Sequence, residues 1–296
     1  MNDFLEIGTE TRTMAILNQY RLFAKKGLGQ NFLVDIDVLR RIVTTAEITE
    51  DDSVVEIGPG IGALTEQLAK NAGKVVAFEI DDNLLPVLYD TLHDYSNIKI
   101  INQDILKANL PQVIDEEFGT NKSVKVVANL PYYITTPIIM DLLHNDDRIE
   151  SIVVMMQKEV AERLTAKPST KAYGSLSVIM QQQKNVDIAF LVSKDSFIPS
   201  PKVDSAIIKI TTKEQTGSQP FDLKKFQGFV RGCFMHRRKS LYNNLQGIFG
   251  KTAEIKENIK EVTAEMGLSD NARPEELTVE QFVELCNRCN TKGLIA

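Results

Sequence analysis

The sequence predicts a doubly wound α/β domain followed by a small all-helical domain. Three observations carry that expectation. Short apolar strands alternate with helical segments through residue 212. A glycine-rich turn joins the first of these strands to its helix, and beyond a polar stretch the apolar residues recur only at helical spacing.

The first strand is Ser53–Ile57, followed by the glycine turn and a helix over 64–71. Lys74–Glu79 is the second strand, with a helix over 83–94 behind it, and Ile98–Asn102 is the third. Strands at 124–128 and 151–157 follow, and segments at 185–192 and 206–212 complete the sheet. These strands read as apolar on both faces, as in a sheet covered by helices on either side. Residues 213–220 are polar, hold Gly217 and Pro220, and read as a linker. Beyond it Phe226, Phe229, Val230, Cys233 and Phe234 share one helical face, and Leu241, Leu245, Ile248 and Phe249 share another. The expected division is therefore 1–212 and 213–296.

The chain has 296 residues, 43% hydrophobic and 25% charged, the balance of an ordinary globular protein. No apolar run approaches the roughly 18 residues that a bilayer span needs. Asp3, Glu6 and Glu10 argue against a secretory signal, so a cytoplasmic protein without membrane association is expected. The cysteines Cys233, Cys286 and Cys289 are odd in number and read as free thiols. Cys286 and Cys289 form a C-x-x-C, but the four ligands of a structural zinc are not assembled elsewhere, so no metal is expected. Nothing calls for a dimer, and a monomer is expected.

The net charge of -6 hides an asymmetry. Residues 200–296 hold 15 basic and 12 acidic side chains, a balance of +3, while the remainder carries -9. Between Leu223 and Ala253 there is no acid, against Lys224, Lys225, Arg231, Arg237, Arg238, Lys239 and Lys251. A charge run is usually a solvated face. The complete lack of acids here makes a surface for a polyanion the better reading.

Glu56-Ile57-Gly58-Pro59-Gly60-Ile61-Gly62-Ala63 follows a strand and opens a helix. Glycines let the backbone turn tightly and approach a ligand, and the helix N-terminus offers unpaired N–H groups. Glu79 ends the next strand, where a carboxylate can accept both hydroxyls of a ribose. Alone, these features also match a dinucleotide site. Two residues favour a methyl donor instead. Glu56 would repel a pyrophosphate and suit a sulfonium, and Asp104, after the third strand, can accept from an adenine amine. An isolated Asp there is more often a helix cap; the recurrence after successive strands carries the weight.

Asn129-Leu130-Pro131-Tyr132 follows the fourth strand. An adenine N6 amine is a poor nucleophile because its lone pair is delocalised into the ring. A site that accepts both its N–H protons frees that lone pair, and the Asn129 side-chain oxygen and the Leu130 carbonyl suit the task. Pro131 presets the turn, and Tyr132 offers a stacking face for a flipped base. Phe197, in Phe197-Ile198-Pro199-Ser200-Pro201, is read as the second stacking face, against the alternative of an ordinary core aromatic.

These stretches, with Lys26-Gly27-Leu28-Gly29-Gln30-Asn31-Phe32-Leu33 and Arg237-Arg238-Lys239-Ser240-Leu241, resemble the family of 16S ribosomal RNA adenine dimethyltransferases from about residue 20 onward. The resemblance implies a Rossmann-like class I methyltransferase domain that uses S-adenosylmethionine, and a helical C-terminal RNA-binding domain. It implies dimethylation of two adjacent adenosines in a hairpin loop near the 3′ end of 16S rRNA, within the immature small (30S) subunit. It places Asn31 and Leu33 in the cofactor site with Gly58, Glu79, Asp104 and Asn129, the last touching both cofactor and target. Arg237, Arg238 and Lys239 would contact RNA phosphates, with Lys25 and Lys26 adding to that surface.

Three rivals stand beside this reading. A sibling enzyme that methylates 23S rRNA and confers macrolide resistance shares most motifs. A non-catalytic assembly factor would show decayed cofactor motifs. A nicotinamide-dependent oxidoreductase leaves Asn129–Tyr132 and the basic stretch unexplained.

Overall fold

The computed structural model describes residues 5–145, 148–214 and 217–295, and of Lys26, His144 and Asn145 the backbone alone. Part of the linker expected at 213–220 therefore lies outside the described residues. The chain divides into two compact units, 1–161 with 187–211, and 162–186 with 212–296.

In the first unit, α1 (Glu10–Gln19) precedes β1 (Phe32–Leu33) and α2 (Ile36–Thr45). There follow β2 (Ser53–Ile57), α3 (Ala63–Ala69), β3 (Lys74–Glu79), α4 (Leu85–Thr91) and β4 (Ile98–Asn102). Then come α5 (Leu110–Glu117), β5 (Val124–Asn129), α6 (Thr135–Asn145) and β6 (Ile149–Gln157), with α7 (Lys158–Leu164) running across the division. After α8 (Ser175–Gln183) of the second unit, β7 (Lys184–Val192), β8 (Phe197–Ile198) and β9 (Ser205–Thr212) return to the first. The main sheet has the order β4-β3-β2-β5-β6-β9-β7. β2 pairs in parallel with β3 and β5, while β9 pairs antiparallel with β6.

Burial follows that order. Central strands β2, β3 and β5 are buried along nearly their whole length, whereas β4 has only partly buried and exposed positions and β7 alternates covered positions with exposed ones. The expectation that all strands are apolar on both faces is corrected at these two: they are the sheet edges, where β7 turns every second side chain to water and no β4 side chain is fully buried. α2 shows why the covering helices form where they do. Asp35 caps it by accepting from the Val38 N–H at 3.2 Å, and Leu39, Ile42 and Val43 make one buried stripe. Each such side chain contributes about 2 kcal/mol by leaving water.

The second unit collects α8 with α9 (Leu223–Cys233), α10 (Leu241–Phe249), α11 (Ala253–Glu265) and α12 (Val279–Thr291). The expected division at residue 212 leaves out that 162–186 belongs here. The reason is local bonding: the fully buried Tyr173 donates to the Leu277 carbonyl at 3.0 Å, Ser169 N–H to Glu275 at 2.7 Å, and Lys213 Nζ to Gln181 at 2.8 Å. Phe226, Phe229, Val230 and Cys233 form the buried face of α9, and the Phe229 and Phe249 rings stack at 6.1 Å. Ile248, expected on one apolar face of α10 with Leu241, Leu245 and Phe249, is 36% exposed. Cys286 and Cys289 are buried on α12, and burial raises both thiols to about 12. Among the described residues, no helix is long and apolar enough to cross a membrane.

Candidate active site

A cavity of about 310 Å³ opens at the carboxyl ends of β2, β3, β4 and β5. That is where ligands bind in open α/β sheets, and the volume suits a small-molecule cofactor. Its floor is the turn after β2. Gly58, Gly60 and Gly62 all have positive φ, at 72°, 63° and 96°, which a residue with a Cβ adopts only with strain. Gly58 N–H donates to the Phe78 carbonyl at 2.9 Å, fastening the turn to β3.

Glu79 ends β3 and is almost fully buried. Its Oε2 accepts from Gly60 N–H at 3.2 Å and its Oε1 from Asp81 N–H at 2.8 Å. Burial raises its pKa, and these N–H donors, with that of Ile80, hold the rise back. A carboxylate oxygen has lone pairs beyond one hydrogen bond, so Glu79 can still accept from a ligand hydroxyl. Asp104 follows β4. One of its oxygens caps a short 3-10 helix by accepting from Leu106 N–H at 3.1 Å. The helix-cap alternative is therefore realised, yet Asp104 also lines the cavity, and its second oxygen lies 3.9 Å from Lys107 Nζ.

β5 stops at Asn129 because the chain then turns into α6. Pro131 supplies the acceptor: its carbonyl receives the Ile134 N–H at 3.2 Å and the Thr135 hydroxyl at 3.0 Å. Asn129, Leu130, Pro131 and Tyr132 all line the cavity. The half-buried Tyr132 shares a hydrogen bond of 2.8 Å with the fully buried Ser205 hydroxyl at the start of β9. Phe197 is both things the sequence offered: it is buried within the apolar core, and it lines the cavity. Asn31 and Leu33 enter from the N-terminal side, because β1 pairs antiparallel with β8, with Leu33 opposite Phe197.

Every residue expected in the cofactor and catalytic sets therefore meets in one cavity. Sequence reasoning missed Leu28, Gln30, Ile80, Gln103 and Leu106, which also line it. Each neighbours a motif residue, and that adjacency was the available signal. Glu56 is a correction. It does not line the cavity, is 1% exposed, and neither carboxylate oxygen has a hydrogen-bond partner. Burial pushes its pKa to about 8, and the neighbouring Glu79 carboxylate adds to the rise. Glu56 is therefore largely protonated at neutral pH and offers no charge to repel a phosphate.

Arg237, Arg238 and Lys239 lie elsewhere, on the exposed turn between α9 and α10. Arg237 donates to the Lys171 carbonyl, and Lys239 N–H to the His236 carbonyl at 2.9 Å, so the turn has a defined backbone.

The model of the family described as ribosomal RNA adenine dimethylase matches residues 22–291. The chain belongs to the ribosomal RNA adenine dimethylase family. The ribosomal RNA small subunit methyltransferase A of Levilactobacillus brevis is 60% identical over 294 residues, 99% of both chains. That of Ligilactobacillus salivarius is 54% identical over 293 residues, again 99% of both. Among solved structures, a dimethyladenosine transferase from Plasmodium falciparum aligns with a TM-score of 0.72 at 26% identity, covering 88% of this chain and 97% of that one. The 23S rRNA methyltransferase ErmE aligns at 0.67 and 27%, covering 88% of this chain and 100% of its own. Membership makes the chain a ribosomal RNA adenine dimethyltransferase on a methyltransferase α/β fold with a helical C-terminal region.

Proposed function

We propose that the chain dimethylates N6 of two adjacent adenosines in a hairpin loop near the 3′ end of 16S rRNA, in the cytoplasm, on the immature small subunit, with S-adenosylmethionine as methyl donor. One observation carries the reading: the turn Asn129–Tyr132 lines the same cavity as Glu79 and Asp104. The full-length likeness to small subunit methyltransferase A proteins supports the choice of RNA.

The donor set fits the cofactor. Glu79, buried with spare lone pairs, takes the ribose hydroxyls; Asp104 takes the adenine amine with the oxygen that does not cap its helix; Asn31, Leu33 and Gly58 surround the remainder. Ile80 and Leu106, both exposed and both lining the cavity, offer apolar faces to the adenine ring. When bound, the cofactor supplies a methyl group made electrophilic by its sulfonium.

The chain's own work is to ready the nucleophile. The Asn129 side-chain oxygen and the Leu130 carbonyl accept the two N–H protons of the target amine, which turns the nitrogen lone pair out of the ring. Tyr132 and Phe197 hold the flipped base between them, and Ser205 fixes the Tyr132 hydroxyl. No strong base is needed, since the methylated ammonium loses its proton to water. Arg237, Arg238 and Lys239 neutralise RNA phosphates, which gives affinity rather than sequence choice.

The test incubates the chain with unmethylated small subunits and labelled S-adenosylmethionine, then maps the modified bases by mass spectrometry. Two adjacent dimethyladenosines near the 3′ end of 16S rRNA are expected. Label confined to 23S rRNA would overturn the substrate assignment.

A further inference from the structure

Asn31 and Leu33 reach the cavity on a segment anchored at both ends. On one side Val34 N–H donates to the Ser196 carbonyl at 2.9 Å, and the Ser196 hydroxyl donates to Asp35 at 3.0 Å, extending the β1–β8 pairing. On the other side the anchor is Asp81, two residues beyond Glu79, its side chain 4% exposed. Asp81 Oδ1 accepts from Lys25 Nζ at 2.7 Å, and from Asn83 N–H and Nδ2 at 3.1 and 2.8 Å. Asp81 Oδ2 accepts from Gln30 Nε2 at 3.0 Å. Gln30 Oε1 in turn accepts the Lys25 N–H at 2.9 Å, closing residues 25–30 into one loop.

This carboxylate is committed to the protein. Asp81 does not line the cavity, whereas its partner Gln30 does, immediately before Asn31. None of the described side chains from Arg21 to Asn31 is buried, and Phe23 is 85% exposed. A segment with so little apolar burial opens locally at small cost, and charge-assisted bonds to a buried carboxylate are the strong interactions it has there. Gly29 also packs on the catalytic turn, where an added Cβ would lie 3.3 Å from Pro131.

We propose that Asp81 is a positioning residue: through Lys25 and Gln30 it latches the 25–33 segment over the cofactor cavity, and breaking this latch sets how fast the cofactor leaves. The proposal rests on the cavity being the S-adenosylmethionine site. It assigns to the second acidic residue of Glu79-Ile80-Asp81 a task distinct from touching the ligand.

The experiment measures S-adenosylmethionine affinity by calorimetry and its dissociation rate by rapid mixing, using the full chain. Lys25→Met and Gln30→Ala, both on the loop, each raise Kd about 3- to 10-fold through faster dissociation, the effect of removing one or two hydrogen bonds. The melting temperature of the ligand-free chain stays put, and Lys25→Arg restores most of the affinity. In an Asp81→Asn background, Lys25→Met adds little further loss, the mark of a shared interaction. Unchanged Kd and dissociation rate in the Lys25→Met, Gln30→Ala double variant overturn the latch, even where Asp81→Asn fails to fold. Glu79→Ala separates the two ideas: if it too leaves Kd unchanged, the cavity assignment falls and the latch with it; if it alone weakens binding, only the latch falls.

Discussion

Leu33 and Phe197 stand directly opposite each other in the two-stranded antiparallel β1–β8 sheet, and both line the cavity. One belongs to the proposed cofactor wall, the other to the proposed base-stacking face. Phe197→Leu keeps an apolar side chain in the core, so the chain folds with a melting temperature within a few degrees of wild type. The methylation rate falls about 5- to 150-fold, as expected for removal of a stacking face worth about 1–3 kcal/mol. Phe197→Ala instead costs about 3–5 kcal/mol of stability as a cavity-forming change. A Phe197→Leu enzyme with wild-type turnover would return Phe197 to the plain core.

Asn129 ends β5 on the cavity wall. Asn129→Ala removes the acceptor for one amine proton, so methyl transfer to small subunits drops below detection while S-adenosylmethionine affinity weakens only modestly. Filter-bound radiolabel and calorimetry read the two quantities. Retained transfer would remove Asn129 from the catalytic role.

The Tyr132 hydroxyl and the Ser205 hydroxyl are 2.8 Å apart, and Ser205 is fully buried. Tyr132→Phe leaves the stacking face and strands the serine, so stability falls by about 1–3 kcal/mol while most activity survives. Tyr132→Ala removes the face and abolishes transfer. Equal activities in the two variants would contradict a stacking role.

Reversing charge at Arg237 and Arg238 weakens small-subunit binding and flattens its dependence on salt, by close to one counterion for each phosphate no longer neutralised. Binding titrations over a salt series measure the slope. A slope equal to wild type would remove this turn from the RNA surface.

Glu56 has its pKa raised by burial to about 8. A carboxyl with a raised folded-state pKa binds its proton more tightly when folded, so stability is fullest below the unfolded value near 4.5 and is lost as pH rises toward 8. Glu56→Gln cannot ionise and escapes that loss. Its advantage in melting temperature over wild type should therefore grow from pH 5 to pH 8 and level off above. A difference that stays constant with pH would mean that Glu56 ionises normally.

Much of this architecture could be read in advance. Ser53–Ile57, Lys74–Glu79 and Ile98–Asn102 take the bounds their apolar runs suggested, because glycine or polar residues punctuate each end. The cavity was legible because its residues fall at the carboxyl ends of successive parallel strands, so position along the chain translates into position on the sheet. β1 and β8 were not legible. Two-residue strands have no periodicity, and their pairing joins distant parts of the chain. The segment 162–186 was also misassigned, since the bonds from Ser169 and Tyr173 to Glu275 and Leu277 leave no local trace. Glu56 misled for a related reason: alternation along a strand fixes that successive side chains face opposite sides, but not which side holds the ligand.

The bond between Ser196 and Asp35 spans 161 positions. A ribosome making this protein must therefore release almost the entire first unit before residues 32–35 find their partners. Until then the nascent polypeptide can assemble β2 to β6 and the bonds of Lys25 and Gln30 to Asp81, but it lacks the β1–β8 pairing that seats Leu33 in the N-terminal wall of the cavity. The complete cavity thus arrives late in translation, and a chain truncated before residue 196 would carry the glycine turn and the acidic residues yet lack the pairing that puts Leu33 in place.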